Sequence, residues 1–308
     1  MVYKIENPIN SEYDVELVDS IPCTTLIRKY NEEFNQDVSK YFTELESVFI
    51  YECTVTKYRF YYPYVIIGDD SFYEGISINK TQYYHSRWEH NLALKYSGAK
   101  SKWLEVGSGN SYFLKQLFDK GVNAVGLELN KNEVEAGNKK NLRIINQDFF
   151  SFHTSGKKFN VIALFQVLEH MYKISDFFEK AYELLESNGR IIFSVPNSNP
   201  HLFVFDKYHT LNLPPHHMGL WDIKSVKLVG KEFGFRVIDR QTEKLSHSEF
   251  EYMINLKKLS QLLILDQKIA FVKFFYRILP GRLKLYWSNL CRNKLLQGRN
   301  IFVVLEKI

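Results

Sequence analysis

The chain is poor in the features that mark secreted, membrane-spanning or metal-stapled proteins. Its three cysteines, Cys23, Cys53 and Cys291, stand far apart, are odd in number and form no CxxC pair. That pattern supports neither a disulfide framework nor a zinc site and points to a reducing compartment. The opening MVYKIENPINSEYDVE has no basic start followed by an apolar run, so no secretory signal is expected. The most apolar long window, Leu259 to Leu279, is broken by Asp266, Lys268, Lys273 and Arg277, which argues against a spanning helix. Repeats and low-complexity linkers are missing, and a net charge of +5 is too mild to imply nucleic acid. Aromatic residues, by contrast, reach 16%, enough for a thick core or a ring-lined pocket without deciding between them.

The first hundred residues carry the weakest patterns. Leu45 to Phe60 has β-branched and aromatic residues in partial alternation, which predicts one or two strands. Asp69-Asp70-Ser71 can cap a short helix, and Thr81 to Tyr96 predicts a longer one. From Lys100 onward strands and helices alternate. Strands are expected at 103–106, 124–129, 142–146, 159–165, 190–195, 234–239 and 300–306, with helices at 110–120, 132–139, 174–185 and 223–233. Such alternation implies a mostly parallel sheet covered by helices on both faces. Between Pro196 and Asp222 lies a long loop rich in Pro, Asn, His and aromatics, of the kind that holds substrate at strand ends.

Chemistry gathers at the ends of the expected strands. WLEVGSGN, Trp103 to Asn110, reads as a strand running through a glycine turn into a helix, which brings backbone N–H groups close to a nucleotide-like ligand. Glu128 follows the second strand about twenty residues on, where a carboxylate can accept from both ribose hydroxyls. Asp148 ends the third strand beside Phe149 and Phe150, an acceptor and rings suited to an adenine edge and face. A dinucleotide dehydrogenase would place a further glycine at Tyr112 and would leave Asp148 unexplained.

In this order the motifs LEVGSGN, Glu128, Asp148-Phe149, FNVIALFQVLEHM and LLESNGRIIFSVPN resemble the class I S-adenosylmethionine-dependent methyltransferases over residues about 100 to 240. The resemblance implies a Rossmann-like, doubly wound α/β fold: a seven-stranded, mostly parallel sheet with its last strand antiparallel, plus an N-terminal addition and a C-terminal helical insertion. It implies S-adenosyl-L-methionine as cofactor. Glu105, Gly107, Ser108 and Gly109 would shape the methionine pocket, Glu128 would bind the ribose, and Asp148 with Phe149 the adenine. Gln166 would line the sulfonium end, and Tyr84 and Arg87 would reach the cofactor carboxylate. Where the family often has a third glycine, this chain has Ser111.

On the acceptor side, Gln166 to His170 (QVLEH) is similar to a subgroup that includes ubiquinone-pathway and sugar methyltransferases. In the quinone enzymes an acid at the first of these positions helps bind a metal; the glutamine here removes a hard anionic ligand, so no metal is expected. His170 can instead serve as general base. Pro214-Pro215-His216-His217 resembles a segment that lies over the acceptor in related enzymes, making His216 and His217 further candidates. Cys23, Cys53 and YRFYYP are similar to the N-terminal module of some sugar C-methyltransferases, but with one cysteine where that module has pairs.

The division expected is an accessory or lid region over 1–98 and a methyltransferase domain over 99–308, with a helical insertion over about 248–298. The acceptor expected is a small molecule or a glycan sugar, methylated at oxygen or carbon. A nucleic-acid acceptor held by the basic insertion, and a non-catalytic subunit that binds a partner, are the alternatives. Residues 251–299 mix ten Lys and Arg with aromatics, so they can touch a membrane surface, pack on the sheet, or join two copies as a homodimer. The location expected is the cytoplasm, with contact to the inner face of the membrane open.

Overall fold

In the computed structural model, residues 5–78, 87–98, 100–154, 156–198, 209–255 and 267–308 are described. The glycine-turn strand, β4 (Lys102–Val106), sits near the middle of the main sheet because it is buried along almost its whole length. A strand covered by helices on both faces reads as a continuous apolar run, and WLEV is close to one. Around it stand β5 (Asn123–Glu128), β6 (Ile144–Asn146), β7 (Phe159–Phe165), β8 (Leu185–Pro196), β10 (Phe235–Thr242) and β11 (Asn300–Lys307). Their spatial order is β10-β11-β8-β7-β4-β5-β6. β4 to β8 pair in parallel, and β11 runs antiparallel to both of its neighbours. This is the seven-stranded Rossmann-like sheet with an antiparallel last strand that the alternation and the resemblance led us to expect.

Helices α4 (Tyr112–Asp119), α5 (Lys131–Asn138), α6 (Ile174–Leu184) and α7 (Ile223–Glu232) flank the sheet. Each begins where its sequence supplies a start. Asn130 caps α5 by accepting from the N–H groups of Asn132 and Glu133, and Asp222 closes a capping box with Ser225 on α7. α6 turns Phe177, Phe178 and Ala181 onto one face of the sheet, while Trp103, Phe113 and Phe302 fill the other.

The N-terminal part holds more structure than its weak patterns suggested. β1 (Val15–Pro22), α1 (Cys23–Phe34), β2 (Ser47–Cys53), β3 (Arg59–Tyr62) and α2 (Asp70–Ile78) form a second, antiparallel sheet with its own core. The strands at β2 and β3 and the acidic start of α2 were legible; β1 and α1 were not. Of the helix expected over 81–96, residues 81–86 lie outside the described residues; after them Arg87 is extended, α3 spans Trp88–Ala93, and a 3-10 turn over Leu94–Tyr96 follows. The fourth strand of the small sheet comes from far along the chain. β9 (Gly219–Leu220) pairs with β3 through Arg59 and Phe60, directly after the histidine pair. Gly219 lies against the Tyr58 ring, where any side chain would collide with the phenol oxygen.

Among the described residues after β10 stand α8 (His247–Asn255), α9 (Gln267–Ile278) and α10 (Gly281–Leu290), then a π turn over Cys291–Leu295. No helix among the described residues is long and apolar enough to cross a membrane.

Candidate active site

The C-terminal ends of β4, β5 and β7 open onto a cleft of about 200 Å³. It lies where the chain passes to opposite sides of β4, which is where doubly wound sheets bind ligands. The glycine turn forms its floor. The N–H groups of Gly107 and Ser108 both donate to the Leu127 carbonyl, at 2.9 and 3.0 Å, so the turn is pinned to β5. Gly107 has φ +70°, and a Cβ there would come within 2.7 Å of a Val167 methyl. Only glycine meets both conditions at low cost.

Glu128 fastens the same turn from the side. One carboxylate oxygen accepts from the Gly109 N–H at 2.7 Å and the other from Asn130 N–H at 2.8 Å. Glu105, at 4% exposure, has a buried oxygen without a hydrogen-bond partner. Burial, and then the nearby Glu128 charge, push its pKa well above the usual carboxylate range. A buried acceptor at the head of the cleft fits the ammonium end of an amino-acid ligand, and the cradle as a whole fits S-adenosylmethionine.

Ser111, in the place of the family's third glycine, has φ 64° and begins α4 in the left-handed region. That conformation is costly for a residue with a Cβ. Ser111→Gly is therefore expected to raise unfolding stability by about 1 kcal/mol, readable in a denaturant melt. An unchanged or lower midpoint would contradict the strain.

The opposite wall is built on residues past β7 and on the N-terminal region. Gln166 (φ 57°) donates through Nε2 to Ser194 Oγ at 3.3 Å, and Ser194 donates on to the buried Glu89 at 3.1 Å. Arg87 lies 3.9 Å from the same Glu89 carboxylate and faces the cleft. His170 Nδ1 is 2.6 Å from the His216 carbonyl and 3.2 Å from the Tyr73 hydroxyl. A carbonyl only accepts, so Nδ1 carries the proton and Nε2 the lone pair. Burial pulls the His170 pKa down to about 4, outweighing the His216 and Gln166 carbonyls that favour its charged form.

The loop bearing His216 and His217 is held by the small sheet and its helices. Tyr30 donates to the carbonyls of Thr210 and Leu213, Gly68 N–H to Pro215, and Tyr61 N–H to Met218. These contacts bring the three imidazoles together, with ring centroids 4.8 Å (His170–His216), 4.8 Å (His170–His217) and 4.4 Å (His216–His217) apart. Of the three, His170 lines the cleft; His216 and His217 are buried behind it. The three make up a group able to present ligand atoms within 4.8 Å of one another. A tetrahedral zinc shell with bonds near 2.1 Å needs nitrogens about 3.4 Å apart, so this arrangement is not a closed shell.

Not every expected residue reaches the cleft. Phe149 is buried against Phe177, and Asp148 accepts from Ser151 N–H at the end of β6, outside the lining. Tyr84 lies outside the described residues. In return, the cleft gains Tyr73 from α2, His90 from α3 and Tyr112 from α4, which no motif marked. A larger hollow of about 420 Å³, near Lys102, Arg143 and Lys157, opens at the opposite strand ends and touches none of these groups.

Glu169, beside His170, is 1% exposed with both oxygens lacking hydrogen-bond partners. Burial raises its pKa to about 8. The folded state thus holds a proton that the unfolded state releases near pH 4.5, so stability falls as pH rises from about 4.5 to 8. Glu169→Gln is expected to flatten that slope, giving a melting temperature that gains on wild type across this window and levels off above it. Parallel melting curves would contradict the shift.

This fold, with a glycine turn at the floor of its cleft, is that of a class I methyltransferase. A family model described as a methyltransferase domain matches residues 80–240, more than half of the chain. The chain belongs to that family and is an S-adenosylmethionine-dependent methyltransferase. Among solved structures, it is similar to a SAM-dependent methyltransferase from Archaeoglobus fulgidus at 14% identity and TM-score 0.51, covering 70% of this chain and 90% of that one. A cyclopropane synthase from Mycobacterium tuberculosis matches at 17% identity and TM-score 0.46, over 78% of this chain and 86% of that one. A magnesium protoporphyrin IX methyltransferase from Synechocystis matches at 12% and 0.44, over 71% and 80%. No curated protein matches the sequence.

Proposed function

We propose that the protein transfers a methyl group to an oxygen or carbon of a small molecule or glycan sugar. Residues 1–98 would form the acceptor-side wall and lid. The carrying observation is His170, a neutral imidazole on the cleft wall whose Nδ1 is committed to the His216 carbonyl. The cofactor, when bound, supplies an activated methyl on a sulfonium, so the residues mainly align the partners and exclude water. Gly107, Gly109, Glu105 and Glu128 hold the donor end; Gln166 faces the methyl. His170 Nε2 accepts the proton of an acceptor hydroxyl or acidic carbon as the methyl arrives. Tyr73 stands beside it as a polar contact for the acceptor, and Arg87 reaches toward the cofactor carboxylate.

The test is mass spectrometry after incubating the protein and S-adenosylmethionine with extract. A small-molecule or saccharide product heavier by one methyl, formed only with both present, supports the reading. Methylated RNA as the sole product overturns it. Calorimetry showing no cofactor binding by the pure protein would favour a non-catalytic subunit.

A further inference from the structure

The helical segment after β10 has an outer surface that its fold does not account for. α9 packs Val272 inward against Phe250, Ile254 and Cys291. On its other side Phe271, Phe274 and Ile278, spaced i, i+3 and i+7, form an outward apolar stripe, each more than half exposed. Leu283, Leu285 and Tyr286 on α10 continue it, the last two at 62% and 69% exposure. A helix with apolar residues on both faces is a helix meant to be covered on both. Of the sixteen large hydrophobic side chains that stand exposed among the described residues, seven fall between Phe271 and Leu295, so this is a patch and not scatter.

Charge identifies what covers it. From Gln267 to Arg299 there is no Asp or Glu, while eight Lys and Arg occur. Arg277 and Arg282 are exposed at the margin of the apolar stripe. Two copies meeting through this patch would bring like charges together. A nucleic acid would use the cations but leave the Phe, Ile and Leu side chains in the wet grooves. An anionic bilayer surface satisfies both, with cations at the headgroups and rings and aliphatic chains at the acyl boundary. The helices, of 12 and 10 residues, are too short to span, so they lie along the interface.

Position adds a reason. β10 runs in the same direction as β8, both being antiparallel to β11, so its C-terminal end meets the edge of the sheet that carries the cleft. Asn197, at the end of β8, donates to the Gln297 side chain at 3.2 Å, tying the end of the helical segment to that edge.

We propose that α9 and α10 dock this protein on an anionic membrane surface, with Phe271, Phe274, Ile278, Leu283, Leu285 and Tyr286 inserted and Arg277 and Arg282 at the headgroups. Docking there sets the cleft edge of the sheet beside the lipid headgroups.

The test is co-sedimentation of the full chain with vesicles of phosphatidylcholine alone and of phosphatidylcholine with about one-third phosphatidylglycerol. Wild type should bind the anionic vesicles at least tenfold more tightly than the neutral ones, and less well as salt rises. The triple variant Phe274→Ser, Ile278→Ser, Leu285→Ser should lose at least tenfold in binding, as should Arg277→Glu with Arg282→Glu. These side chains are exposed and none of them lines the cleft, so S-adenosylmethionine affinity, measured in parallel, should hold and report an intact fold. That control separates failure of this proposal from failure of the methyltransferase reading. Wild type left in the supernatant, or a triple variant that binds undiminished, overturns the proposal. So does light scattering that shows a dimer converted by the triple variant to a monomer, which would assign the patch to a second copy.

Discussion

Glu128→Ala should weaken S-adenosylmethionine binding about 100-fold or more in calorimetry and also lower the melting temperature by several degrees. Its two oxygens hold the N–H groups of Gly109 and Asn130 at 2.7 and 2.8 Å, so the carboxylate braces the turn on which the donor rests. Hydrogen bonds to a charged acceptor are worth roughly 1.5–3 kcal/mol each, and about 1.4 kcal/mol corresponds to tenfold in affinity. Losing the brace, together with the carboxylate available to the ribose, reaches the predicted size. Glu128→Gln keeps the shape without the charge and should fall between the two. Affinity within twofold of wild type for Glu128→Ala would remove the cofactor from this cleft.

The second large effect concerns turnover. His170→Ala should lower kcat by roughly 10² to 10⁴, the usual contribution of a positioned base, while cofactor affinity stays within about threefold. Burial holds the imidazole at a pKa of about 4, so its neutral form prevails from pH 5 upward. The pH–rate profile of wild type should accordingly show no rise near 6.5 attributable to this histidine. Full activity in the variant with normal acceptor binding would dismiss His170 as base.

How much of this was legible in the sequence depends on how locally each feature is encoded. The donor half was readable because strand, glycine turn and helix follow one another within twenty residues, and Glu128 recurs at the next strand end. The last strand was readable from the pattern NIFVVLE, and its antiparallel direction from the resemblance alone. The acceptor half was not. Tyr73 and His90 lie on short helices in a region without strong periodicity, and only the tertiary fold turns them toward His170 and Phe165. β9, two residues long, has no pattern at all; it exists because β3 offers it an edge. β1 escaped because its faces are mostly exposed, so the alternation that marks a half-buried strand is faint. Asp148 and Phe149 were placed by motif, but Phe149 answers to the core beneath the sheet.

The pairing of β3 with β9 has a consequence for how such an enzyme can change its substrate. The loop that presents the His216 carbonyl to His170 is threaded onto the small sheet by the hydrogen bonds of Tyr30, Gly68, Tyr61 and Tyr73. Residues near 60 and near 220 thus make up one structural cassette, although some 150 residues of donor-binding machinery separate them in the chain. A chimera that exchanges the first hundred residues alone would leave Gly219-Leu220 without its partner strand and the histidine loop without its anchors. Exchanging residues 209–222 in the same step would restore both, so this cassette can be transplanted only as two distant pieces moved together.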